Sequence, residues 1–162
     1  MRVETYNVAL DDTGKSVLVR ESARNYTLSG RNEATCSPDG TYRLMEGCFG
    51  LSRKAEEYVY MLALDAKSRL LGIFEVSHGG VNGSYVTPRE IFVRALLCGA
   101  AGIVLVHNHP SGDPEPSEED FAVTRRAFES GKLLNVPLLD HIVAGKDSYY
   151  SFRASGGLQA GA

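Results

Sequence analysis

Gly102-Ile103-Val104-Leu105-Val106-His107-Asn108-His109-Pro110 is the segment around which the rest of the chain can be organised. Its unbroken aliphatic run has the length and composition of a strand buried on both faces, and such strands lie in sheets covered by helices. Upstream, Thr87-Pro88-Arg89-Glu90 is a capping box with proline in the first helical position, and Ile91, Ala95 and Cys98 continue it as an apolar helical face up to Gly99. Downstream, Pro110, Pro114 and Pro116 stiffen a loop that ends at Ser117. A helix is expected from Ser117 to Ser130, with Gly131 as its stop. Helix, buried strand and helix in succession indicate an α/β or α+β domain.

Further towards the N-terminus, Tyr58, Tyr60, Leu62 and Leu64 alternate with Val59, Met61 and Ala63, so both faces of this run are apolar, as in a central strand. Asp65-Ala66-Lys67-Ser68 turns it into Leu70–Val76, giving a hairpin over 57–77. The segment His78–Ser84 reads as a glycine loop. Ser37-Pro38 is an N-cap signal for a helix through Met45 and Cys48. Val3–Leu10 and Val17–Val19 form another hairpin about Asp11-Asp12-Thr13-Gly14, and residues 23–36 read as a polar connection. A last strand is expected around Leu138–Val143. The organisation is thus an N-terminal hairpin and linker over 1–36, then one domain over 37–162.

Composition narrows the function classes. The chain has 162 residues, 43% hydrophobic and 23% charged, which suits one globular domain and excludes collagenous or disordered sequence. No apolar run approaches the ~20 residues of a membrane span, and Met1-Arg2-Val3-Glu4 does not open a signal peptide, so a cytoplasmic location is expected. A net charge of −3 without a basic stripe argues against nucleic acid as the partner. Cys36, Cys48 and Cys98 have no C-x-x-C spacing and read as reduced thiols. Oligomeric state is written in no motif.

Two of the chain's four histidines are His107 and His109. Residues i and i+2 at a strand end point to one side, so their imidazoles can converge. Ser117 and Asp120 follow, with Asp120 three residues into the helix and able to aim its carboxylate back at the strand end. Two imidazoles and one carboxylate make a three-ligand set for zinc with one position open, the pattern of a catalytic site. Asp113, between Gly112 and Pro114, is the competing carboxylate but reads as a turn residue. Amide hydrolysis at such a centre also needs a general base. Glu75, set among Ile73, Phe74 and Val76, is the candidate, because a glutamate in an apolar strand is expected to face a polar cleft.

These residues resemble the JAMM motif of the JAB/MPN metallopeptidases: an upstream Glu, H-x-H, about seven residues, then S-x-x-D. His107–Ser117, Thr87-Pro88-Arg89-Glu90 and Leu139-Asp140-His141-Ile142 resemble more narrowly the bacterial RadC-type branch, over about residues 37–153. The resemblance implies a cytidine deaminase-like three-layer sandwich with a mixed central sheet and flanking helices. It implies one zinc held by His107, His109 and Asp120, with Glu75 as general acid/base and Ser117 hydrogen-bonding the developing oxyanion. The implied activity is peptidase or isopeptidase cleavage of a peptide or protein substrate. A non-catalytic zinc-containing interaction module is the alternative, and a nucleic-acid-processing role a weaker one. Asp140 matches no ligand position and reads either as a carboxylate behind the site or as an ordinary buried polar residue. Full-length members carry an N-terminal helix-hairpin-helix, where residues 1–36 here read as a hairpin and loop, which removes the usual reason to expect DNA contact.

Overall fold

Every residue of the central strand β5 (Gly102–Asn108) is buried, because it has a strand on each side and helices on both faces. The computed structural model describes residues 1–26, 37–79 and 86–158. Around β5 the described elements are β1 (Arg2–Leu10), β2 (Ser16–Asn25), α1 (Pro38–Phe49), β3 (Glu57–Leu64), β4 (Leu70–Gly79), α2 (Pro88–Leu97), α3 (Glu118–Leu134), β6 (Leu138–Ala144) and β7 (Tyr149–Ser151), with one 3-10 turn at Leu51–Arg53. The strands form one mixed sheet of seven in the order β2-β1-β4-β3-β5-β6-β7.

Side-chain alternation divides the core into two layers. Met61, Phe74, Ile103 and Leu105 face α2 and α3, where they meet Ile91, Phe92, Ala95 and Ala127. Leu62, Ile73, Val104 and Ile142 face the other way and bury Leu44 and Met45 of α1. This is the three-layer α/β architecture, with β3 central between β4 and β5. The parallel pair β5–β6 is joined by α3, the kind of long crossover such a pairing requires.

The helix starts are those the caps specify. Ser37 Oγ accepts from the Gly40 N–H at 3.1 Å, and Ser117 Oγ accepts from the Asp120 N–H at 3.2 Å. At Thr87 the Glu90 carboxylate accepts from both the backbone N–H and the hydroxyl.

Some boundaries differ from the sequence expectation. Gly131 does not stop α3; it lies buried inside the helix, which runs on to Leu134 and is capped by Asn135 at φ 59°. A Cβ on Gly131 would come within 2.6 Å of the Val136 carbonyl oxygen, so glycine serves close packing there, not termination. Strand β2 continues through residues 23–25 because they keep pairing with β1 as far as Arg2↔Asn25. His78 and Gly79 belong to β4, held by Tyr58↔His78 and Glu57↔Gly79. The three-residue strand β7 was too short for its pattern to register. The expected connection over 27–36 and the glycine loop over 80–84 lie outside the described residues.

Candidate metal centre

The C-terminal end of β5 delivers the two imidazoles. His107 extends the row of Ile103 and Leu105, so it points to the α2–α3 face, and it is 1% exposed. Its Nε2 lies 3.1 Å from His109 Nε2. Helix α3 supplies the third group: Asp120 Oδ1 is 3.0 Å from His107 Nε2, and Oδ2 is 3.3 Å from His109 Nε2. One donor atom from each of the three residues falls within 4.8 Å of the others. A tetrahedral metal with bonds of 2.0–2.1 Å spaces its ligands by about 3.3 Å, so the set fits a divalent ion with one position left open.

Asp120 is fixed as part of the capping box. The Ser117 N–H and hydroxyl both donate to Oδ2 at 2.7 Å, which leaves Oδ1 turned towards His107. Burial would raise the Asp120 carboxyl, but the His107 and His109 rings against it and the hydrogen bonds from Ser117 outweigh it and hold the group well below the usual carboxylate range. The same carboxylate raises His109 against its own burial. His109 Nδ1 lies 2.8 Å from the Asp113 carbonyl, an obligate acceptor, so Nδ1 donates there and Nε2 is left to face the cluster. Asp113 therefore contributes its backbone, while its carboxylate accepts from the Glu115 N–H at 3.0 Å as a turn residue does.

A family model described as the RadC-like JAB domain matches residues 35–158. The chain belongs to this family. A UPF0758 protein of Pelobacter propionicus is 49% identical over 96 residues, 59% of this chain and 42% of that one. Another, from Methanosarcina acetivorans, is 46% identical over 121 residues, 75% and 52% of the two lengths. A third, from Alkaliphilus metalliredigens, is 38% identical over 146 residues, 90% and 59%. The chain spans about half the length of the curated relatives it matches.

In this RadC-like JAB domain the glutamate beside the imidazoles is Glu57, not Glu75. Glu57 opens β3 two residues before Val59, which pairs with His107. It lines one cleft together with Val59, His107, Ser117, Asp120 and His141. Burial raises its carboxyl above the usual range, and Asp120 and Glu119 push the same way against the two histidines. Glu75 instead pairs with Tyr60, whose side chain belongs to the α1 layer. There Glu75 Oε1 lies 2.8 Å from His78 Nδ1, and both groups are substantially exposed. The expectation for Glu75 fails on alternation: Phe74 and Val76 take the inner positions of β4 and turn Glu75 to the other face.

Two further residues complete the centre. Asn108, fully buried, accepts from the Tyr58 N–H at 2.9 Å and donates to the Glu56 carbonyl at 3.0 Å, clamping the backbone on both sides of Glu57. Its place between two histidines was the available signal. His141, on β6, lies 2.8 Å from His107 Nδ1 through its Nε2. Its neighbour Asp140 faces the opposite cleft with Ser37, Thr41 and Arg153. The Asp140 carboxylate accepts from Ser151 Oγ and from the N–H groups of His141 and Arg153, so it ties β6 to β7 and takes no part behind the site.

Proposed function

We propose that the protein is a zinc-dependent amide hydrolase of the JAMM type, acting on a peptide or protein substrate. The observation that carries this reading is the convergence of Glu57, His107, Ser117 and Asp120 on one cleft, with His109 against His107 and Asp120. His107, His109 and Asp120 would hold the ion. Bound there, zinc supplies Lewis acidity for an amide carbonyl and lowers the pKa of a water to about 7.

The chain's own groups do the remainder. The Glu57 carboxylate takes a proton from the attacking water and passes it to the leaving nitrogen. The Ser117 hydroxyl can turn from Asp120 to a developing oxyanion, because the Ser117 N–H continues to hold Asp120 Oδ2.

Zinc content and cleavage of peptide and isopeptide-linked substrates, measured on wild type and Glu57→Gln, test the proposal. The expected result is zinc in both proteins and a loss of about 10²- to 10⁴-fold in cleavage for the variant. Full activity in Glu57→Gln would overturn the mechanism. Zinc-loaded wild type that cleaves no amide would favour an interaction module.

A further inference from the structure

Behind the candidate ligands runs a hydrogen-bond chain whose direction is set by donor chemistry. Thr124 Oγ1 lies 2.6 Å from two atoms, the Asp120 carbonyl oxygen and His141 Nδ1. A carbonyl only accepts, so the hydroxyl's single proton goes to Asp120, as threonine commonly donates one helical turn back. Thr124 Oγ1 must then accept from His141, which places a proton on His141 Nδ1. His141 is 2% exposed and its ring stacks on Phe152 at 5.1 Å. In a neutral imidazole the proton on Nδ1 is the one ring proton, so His141 Nε2 presents a lone pair. His107 Nδ1, 2.8 Å away, is the group that faces it.

We infer that His141 is a positioning residue that selects the tautomer of His107. It forces the His107 proton onto Nδ1 and thereby keeps Nε2 as the atom that faces His109 and Asp120. The inference rests on the metal-centre reading above and deepens it. The circuit closes on itself. Asp120 offers its carboxylate to the cleft and its carbonyl to Thr124, Thr124 orients His141, and His141 orients His107. Strands β5 and β6 and the first two turns of α3 are thus tied together by the groups that prepare the candidate ligands. His109 is prepared separately, by the Asp113 carbonyl.

Nitrogen-15 NMR of the imidazole rings, first on metal-free protein, reads the tautomers directly. The expected result is His141 protonated on Nδ1 and bare on Nε2. A His141 proton on Nε2 would overturn the inference without touching the metal reading. Zinc affinity by chelator competition then separates the two ideas. Wild type that binds no zinc sinks the metal reading alone. Thr124→Val keeps the shape but removes the acceptor, freeing His141 to change tautomer. It is expected to weaken zinc about 10- to 100-fold, with Thr124→Ser restoring both affinity and tautomer. Unchanged affinity in Thr124→Val with its His141 proton moved to Nε2 would overturn the inference.

Discussion

Glu57 and Glu75 stand on neighbouring strands near the same end of the sheet, yet their surroundings differ in kind. Glu57 is half-buried beside two imidazoles and a carboxylate, on the face covered by α2 and α3. Glu75 lies over the α1 side next to Tyr60, bound to an exposed histidine and open to solvent. The backbones are almost equivalent, and one step of pleat separates them. A carboxylate's chemistry in a sheet is therefore decided by parity before it is decided by proximity along the chain.

The widest contrast is expected in turnover. Glu57→Gln lowers amide cleavage by about 10²- to 10⁴-fold, while Glu75→Gln stays within about twofold; the reverse order in a steady-state assay would break the distinction. Next in size is Asn108→Ala. It leaves the Tyr58 N–H and Glu56 carbonyl unpaired, costing about 1–3 kcal/mol of stability. Release of the strand that carries Glu57 lowers turnover on the order of 10- to 100-fold with zinc retained. Metal content, denaturant melting and kinetics on one preparation check all three parts.

The metal-free protein offers a smaller, pH-dependent test at the two ends of β3. Burial raises the folded-state pKa of Glu57, so the folded state holds its proton more tightly than the unfolded one. Stability is then lost as pH rises from the ordinary glutamate range through the raised value. Glu57→Gln should match wild type in acid and exceed it near neutrality. Asp65, lowered chiefly by its hydrogen bond from the Arg69 side chain, has the opposite sign. Its contribution is present above the ordinary aspartate range and lost as pH falls through the lowered value, so Asp65→Asn differs from wild type only at higher pH. Denaturation curves at acid and neutral pH resolve the two slopes. The smallest effect is His78→Ala. It removes an exposed pair and changes stability by less than about 1 kcal/mol, with cleavage unaltered; a large kinetic loss would return Glu75 and His78 to consideration.

Much of this centre could be read along the chain because its parts are local. His107 and His109 are separated by one pleat, and Asp120 is fixed to Ser117 by a capping box four residues long. The helix starts at Ser37, Thr87 and Ser117 rest on equally short-range bonds. What escaped was set across strands. Glu57 and Glu75 both adjoin apolar runs, and only the pairings Val59↔His107 and Tyr60↔Glu75 assign each to a face. His141 and Asp140 exchange roles for a related reason. A register shift between Ile103 and Val104 in the β5–β6 ladder brings His141 opposite Leu105, on the face of His107, and leaves Asp140 on the other. Gly131 looked like a stop because the closeness of the Val136 carbonyl is a tertiary fact.

From the order of residues alone came the buried strand, its capped helices and a three-residue candidate ligand set, since each depends on spacings within a pleat or a helical turn. The identity of the partner glutamate, its clamp by Asn108 and the Thr124–His141–His107 chain were settled only on folding. Those depend on which strands pair, in which register and with which face inward, and such quantities are fixed by packing the whole sheet between its helices.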